Sequence, residues 1–327
     1  MRAIVTGATG FTGSAVCTRL VRDGWDVTAF VRPSPRVAPL EKLGVRCVEV
    51  DITSEESVRQ AMEPVDRVFH IAAMYRTEDT DRDVFRRVNV DAVEHMASAS
   101  RKAGVGRFIH CSTVGVQGQI DDPPADENYR VRPNDHYQET KWEGEQAARR
   151  HFAAGLPGVV VRPAGIYGPG DLRFLKLFRA IDRGMFFMIG SGKTLYHLTY
   201  IDDLVEGFML AADRPEAVGE VFTIGGPRYT TVQEMAETVA RVLDKKLSKL
   251  RVPLWPVQAA AHVCEAVCKP FGINPPLYPR RVEFFSMDRG FTIEKAQRLL
   301  GYAPRVDIEE GFSRTAAWYR QQGLLQA

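Results

Sequence analysis

The sequence predicts an α/β fold: a doubly wound parallel sheet with a smaller C-terminal lobe. Three observations carry that reading. Short apolar runs alternate with amphipathic helical stretches through the first half of the chain. A glycine-spaced loop, Gly7-x-x-Gly10-x-x-Gly13, sits between the first strand and the first helix. After Pro163 the alternation weakens, and Pro and Gly cluster at 163–170 and again at 225–227.

The elements follow in order. Arg2–Thr6 reads as a buried strand and Phe11–Asp23 as a helix. In the loop between them Gly7 permits a tight turn, and Gly10 lets the backbone approach a pyrophosphate. Gly13 lets the helix pack on the strand. The helix, opening at Phe11 and Thr12, offers unpaired N–H groups and the positive end of its dipole. Asp26–Val31 is the second strand, ending at Arg32. Arg46–Val50 is the third, followed by Asp51-Ile52 and a helix over Ser54–Met62. Arg67–Ile71 is the fourth, running into Ala72-Ala73, and a helix over Asp83–Ala103 carries Asn89. Arg107–Cys111 is the fifth, ending in Ser112-Thr113. A helix over Asp135–Ala153 carries Tyr137 and Lys141, and Gly158–Arg162 is the sixth strand. Segment 199–224 reads as a helix and strand returning to the sheet. The pattern is that of a Rossmann sheet. It assigns residues 1–165, with 198–224, to a dinucleotide-binding domain, and 166–197 with 225–327 to a substrate lobe. No internal repeat interrupts it.

Composition narrows the function. The chain has 327 residues, 45% hydrophobic and 26% charged, with a net charge of +2. Those are ordinary globular values, and a charge this small does not support nucleic-acid binding. A first strand that starts at residue 2 leaves no place for a signal peptide, so a cytoplasmic enzyme is expected. Five cysteines without disulfide spacing fit a reducing compartment. Cys264 and Cys268 share a helix face, but a metal site needs further ligands, so packing is the expected role and no metal is assigned.

The chemistry rests on Tyr137 and Lys141. Four residues apart on one helix, they share a face. A free tyrosine titrates near ~10, and a neighbouring ammonium lowers that value, so Tyr137 becomes able to exchange a proton with a substrate oxygen. Alone, a Tyr-x-x-x-Lys is a solvated helix pair. Beside the glycine loop and a strand ending in Ser112-Thr113, it reads as a proton relay. Strand alternation points the Ser112 and Thr113 hydroxyls in opposite directions.

In this order and spacing the motifs resemble the extended short-chain dehydrogenase/reductase family over nearly the whole chain. The matching stretches include His70-Ile-Ala-Ala73, Asn89-Val90, Arg162-Pro-Ala-Gly-Ile-Tyr-Gly-Pro-Gly170 and Tyr200-Ile-Asp-Asp-Leu204. The resemblance implies an NAD(P)-dependent enzyme with Thr113, Tyr137 and Lys141 in the catalytic roles. Thr113 would hold the substrate oxygen, and Lys141 would also bond the nicotinamide ribose. It further places Asp51-Ile52 at the adenine, and Ala72, Ala73, Pro163 and Ile166 along the cofactor. Asn89 is either cofactor-adjacent or a bend in its helix.

Cofactor choice turns on the tip of the second strand. NAD sites place an acid there; this chain places Arg32, which pairs with a 2′-phosphate, so NADP(H) is expected over NAD(H). The substrate reading turns on two departures. Sugar-nucleotide members of the family carry Asn where this chain has Gly165, and an Arg-Asp pair where it has Tyr196-His197. Lys193, Arg173 and Arg281 are the cations left to grip a diphosphate. The C-terminal third instead resembles the 3β-hydroxysteroid dehydrogenase and dihydroflavonol reductase-like branch, notably at Val252–Phe271 and Gly290–Pro304. The expectation is an oxidoreductase acting on a carbonyl or secondary alcohol of a small, apolar molecule, as a homodimer. A nucleotide-sugar epimerase or dehydratase holding NAD is the alternative, and a cofactor-bound scaffold without turnover a third. The apolar stretch near 254–271 is too short for a membrane span of ~20 residues. It packs as an amphipathic helix, covers a pocket, dimerises or touches a membrane surface.

Overall fold

The computed structural model describes residues 1–75, 81–271, 273 and 275–325. The first half alternates as expected. In order come β1 (Arg2–Thr6), α1 (Phe11–Arg22), β2 (Asp26–Val31), α2 (Ala38–Lys42), β3 (Arg46–Glu49), α3 (Glu55–Ala61) and β4 (Arg67–His70). Then follow α4 (Arg82–Arg86), α5 (Ala92–Lys102), β5 (Arg107–Cys111), α6 (His136–Ala153) and β6 (Gly158–Pro163). The sequence did not signal α2, a single turn and a half. The helix expected over Asp83–Ala103 is interrupted, because a π turn at Arg87–Asp91 joins α4 to α5.

The second half is built of β7 (Gly165–Tyr167), α7 (Leu175–Asp182), β8 (Met188–Ile189), β9 (Leu195–Tyr200), α8 (Ile201–Asp213) and β10 (Val221–Ile224). After these come β11 (Tyr229–Thr231), α9 (Val232–Val242), β12 (Arg251–Val252), α10 (Leu254–Cys268), α11 (Pro279–Val282), α12 (Glu294–Leu300) and α13 (Ile308–Gln321).

Seven strands form one parallel sheet in the order β3-β2-β1-β4-β5-β6-β10. As expected, the segment after residue 199 returns a helix and a strand to it. All six residues of β6 are buried, as a parallel sheet with helices on both faces requires. Phe69, Phe108 and Phe222 are fully buried along the sheet's length. Outside it, β7 and β11 flank β9, and β12 pairs with β8. Strand order reverses between β1 and β4, and open α/β sheets take their ligands at such a point.

Candidate active site

The carboxyl ends of the central strands open onto a cleft of about 1200 Å3. The glycine loop is one wall. Gly7 holds φ at +71°, and a Cβ there would stand 2.7 Å from the Ala72 amide nitrogen. A Cβ at Gly13 would collide with the Gly7 carbonyl. At Gly10 an added carbon would meet only the Gly7 carbonyl oxygen, at 3.2 Å, so the position stays open toward the cleft. Gly10 is also the N-cap of α1, with no side-chain cap and no acid in the first turn. The first amides of α1 are thus left for an anion, and the cradle fits a pyrophosphate. Phe11 and Thr12 line the same wall. Thr6, which the sequence did not single out, ties the facing strand to the loop. Its hydroxyl accepts from the amides of Ile71 and Ala72, each at 3.2 Å. Ala72 and Ala73 are held on the cleft wall in this way.

At one end Arg32 stands exposed at the tip of β2, joined by Ser34 and Arg36. The Ser34 hydroxyl accepts from the Arg36 amide at 3.2 Å, so the segment turns back on itself. Arg36 was not foreseen, although its spacing in Arg-Pro-Ser-Pro-Arg offered the signal. Asp51 and Ile52 line the cleft nearby. One Asp51 oxygen accepts both the hydroxyl and the amide of Thr53, at 2.7 and 2.9 Å. Those bonds, helped by the charge of Arg32, hold the Asp51 carboxyl below its ordinary pKa.

At the other end α6 presents Tyr137 and Lys141. Asp135 caps this helix, its carboxylate accepting from the Gln138 amide at 2.8 Å. Tyr137 is half-buried, with the Tyr75 ring edge-on at 5.3 Å. Lys141 is 2% exposed. Its ammonium donates to the Cys111 carbonyl at the end of β5, at 2.6 Å. Burial pulls the Lys141 pKa down, and the negative charge of Glu145 opposes it. Ser112 and Thr113 part company as alternation requires. Ser112 donates to the buried Glu145 at 2.7 Å. Glu145 also takes two N–H groups of Arg162, at 2.9 and 2.7 Å, which ties β5, β6 and α6 together. The Thr113 hydroxyl accepts from the Gly115 amide at 3.1 Å, so its own proton is left to give. Pro163 and Ile166 complete the wall.

Asn89 is the one expected site residue absent from the cleft wall. It is fully buried in the π turn. Its amide accepts from the Met74 N–H at 2.8 Å and donates to the Thr140 hydroxyl at 3.0 Å. It therefore acts at a remove, holding Met74 and α6 in place, while its neighbours Arg87 and Val88 reach the cleft. Tyr75, Arg289 and Phe291 also line the cleft; Phe291 falls within the Gly290–Pro304 stretch, but nothing in the sequence placed any of the three at the site.

The profile of the NAD dependent epimerase/dehydratase family matches residues 3–225. The chain belongs to the NAD-dependent epimerase/dehydratase family. As a family member it is an NAD-binding oxidoreductase with the Rossmann fold, of short-chain dehydrogenase/reductase type. One relative is a 3-beta-hydroxysteroid dehydrogenase of Mycolicibacterium neoaurum. It is 32% identical over 337 residues, covering 97% of this chain and 91% of the relative. Another is a 4-hydroxy-2-methyl-3-oxo-4-farnesyl-3,4-dihydroquinoline-1-oxide ketoreductase of Stigmatella aurantiaca. It is 30% identical over 319 residues, covering 95% of this chain and 94% of the relative. Among solved structures, that of gox2253 aligns with a TM-score of 0.84 at 28% identity, covering 99% of each chain. The family profile ends at residue 225, and the cleft residues Arg289 and Phe291 lie beyond it. Among the described residues no group of three or more His, Cys, Asp or Glu side chains is placed to hold a metal ion.

Proposed function

We propose that this family member moves hydride between NADP(H) and a carbonyl or secondary alcohol of a small apolar molecule. The observation that carries the substrate class is the pairing of Gly165 with Tyr196. A Cβ at residue 165 would stand 2.8 Å from the Tyr196 ring. The Asn of sugar-nucleotide members has no room while that ring occupies the space. The ring joins Met74 and Phe291 in giving the cleft apolar surface, beside the Arg289 guanidinium 5.9 Å from the ring centroid. The three cations that the sequence offered for a diphosphate are poorly placed. Lys193 and Arg281 are not on the cleft wall. Arg173 is, but its guanidinium is engaged by Asp171 at 2.7 Å and by the Ile166 carbonyl at 2.8 Å. Relatives named for a hydroxysteroid and for a farnesyl-bearing dihydroquinoline support the same class.

NADP(H) is favoured by charge. Arg32 and Arg36 stand together with no acid at the strand tip, and one oxygen of the neighbouring Asp51 is taken by Thr53. Both arginines suit a 2′-phosphate. When bound, the nicotinamide supplies the hydride acceptor or donor. In reduction Tyr137 gives its phenolic proton to the substrate oxygen; in oxidation it takes one. Lys141 has three N–H donors, and the Cys111 carbonyl occupies one. Two remain for the Tyr137 oxygen and the ribose hydroxyls. Thr113 donates a hydrogen bond to the same substrate oxygen and fixes its position.

The test is a turnover assay with NADPH and a panel of cyclic ketones, run beside UDP-glucose and NAD. One NADPH should be consumed per ketone reduced. Interconversion of the sugar nucleotide without net cofactor use, and no ketone reduction, would replace this reading with the epimerase one.

A further inference from the structure

Among the described residues, eight of the thirteen exposed large apolar side chains lie at Met185, Phe187 and between Leu250 and Ile273. Helix α10 is the centre of this patch. Its inward side is anchored by Ala261, while Trp255, Val263 and Val267 are 73%, 63% and 58% exposed. At 100° per residue those three share one face with Ala259 and Ala266. Gln258 and His262 are the polar members of that face, and none is an acid, lysine or arginine. A helix face turned to water ordinarily carries charge. Phe271 extends the patch at 74% exposure. On the other flank the Met188 amide donates to the Leu250 carbonyl, which sets Phe187 and Leu250 side by side.

The patch has a basic rim. Residues 244–271 hold five basic side chains, Lys245, Lys246, Lys249, Arg251 and Lys269; Lys245 pairs with Asp182 and Lys269 with Glu265, which leaves Lys246, Lys249 and Arg251 against Asp244. No helix among the described residues is long and apolar enough to cross a membrane. An uncharged apolar face with a cationic border is the signature of a helix that lies along a lipid surface. We infer that α10 and Phe271 seat this enzyme on a bilayer surface carrying anionic headgroups. A symmetric contact between two copies matches a patch to itself, so the basic rims would meet like charge. An anionic headgroup layer meets them with opposite charge. The seat also adjoins the cleft. Helix α10 packs on α11. The turn after α11 carries Phe284, whose ring lies 5.3 Å from that of Tyr196 on the cleft wall. A bilayer-dissolved substrate would therefore enter on this side. That consequence rests on the apolar substrate proposed above; the seating does not.

The test is co-sedimentation of the full chain, without substrate, with two kinds of vesicle. One is phosphatidylcholine alone and the other contains phosphatidylglycerol. The chain should sediment with the anionic vesicles, much less with the neutral ones, and less as NaCl is raised. Trp255→Glu with Phe271→Glu should lower the bound fraction about tenfold. Lys246→Glu with Lys249→Glu should lower it on anionic vesicles only. Both variants should keep turnover of a water-soluble ketone. Wild-type protein left in the supernatant with both vesicles overturns the inference. So does a Trp255→Glu, Phe271→Glu variant that binds as well as wild type. A dimer that this variant dissociates, with no vesicle binding, assigns the face to a second copy and overturns it too. Vesicle binding without ketone turnover would sink the catalytic reading and leave the seating intact.

Discussion

Tyr137→Phe removes one oxygen and keeps the ring that packs against Tyr75. The phosphate cradle and ribose contacts lie on other residues, so cofactor affinity should survive. Turnover should fall by roughly 10²–10⁴-fold, the usual worth of a positioned acid or base. Lys141→Met should damage both turnover and cofactor binding, because one ammonium serves both. Thr113→Ala should act on turnover, and Thr113→Ser should be mild. Steady-state rates at saturating cofactor decide it: a Tyr137→Phe enzyme retaining half its rate would remove Tyr137 from the relay. At the far end of the cleft, Arg32→Ala should weaken NADPH by about 1.5–3 kcal/mol, the worth of a charge-assisted hydrogen bond, and NADH far less. Titration of both cofactors checks this, and wild-type preference for NADH would contradict it. These residues were legible because each sits in a short motif with a fixed place on its element. Arg289 and Phe291 were not, since only the return of the C-terminal segment to the cleft brings them there. Asn89 was legible as a motif and not as a role, because one sequence position fits either a cofactor contact or a bend in its helix.

The helices that carry the relay are held by backbone proximity. Gly144 lies in the middle of α6, and a Cβ there would collide with the Asn89 carbonyl in the π turn. A π turn widens the helix locally and redirects carbonyls, so helices 82–102 and 136–153 touch at main-chain level. Gly144→Ala must push α6 outward, carrying Tyr137 and Lys141 with it. Overpacking of this kind costs about 1–3 kcal/mol. Denaturant unfolding should show that loss, and the folded variant should show lower turnover at saturating cofactor. Unchanged stability and rate would mean that α6 has slack the structure does not show. Short continuous apolar runs and period-3.6 patterns made the parallel strands and long helices readable. The π turn left no such trace, since its residues, Arg87-Val-Asn-Val-Asp91, read as ordinary helix. Short elements such as β7, β8 and β12 are also invisible to periodicity, being two or three residues long.

Across the whole sheet one register row runs Thr6, His70, His110, Val160. Two imidazoles thus stand side by side in the middle of a parallel sheet, ring centroids 5.8 Å apart. His70 Nδ1 meets the Thr6 hydroxyl at 2.9 Å. Both rings are buried. Burial, and secondarily the charge of Lys141, pushes His70 down to about 3 and His110 well below its ordinary value. The folded chain therefore keeps both rings neutral at pH values where the unfolded chain protonates them. Between the unfolded value of about 6.5 and the folded one, the unfolded state binds the extra protons. Stability is then complete above about pH 7 and declines as the solution is acidified. Each histidine should remove about 2 kcal/mol between pH 7 and pH 5, before most carboxylates begin to titrate. Urea unfolding at half-unit steps of pH measures the slope. His110→Phe keeps a ring in the row and deletes one titrating group, so its slope over this window should be shallower than that of wild type by about a third, because the buried His197 is held down as well as His70. A wild-type unfolding free energy that stays level from pH 7 to 5 would show that these rings are not held neutral. An unaltered slope in His110→Phe would place the acid sensitivity elsewhere in the molecule.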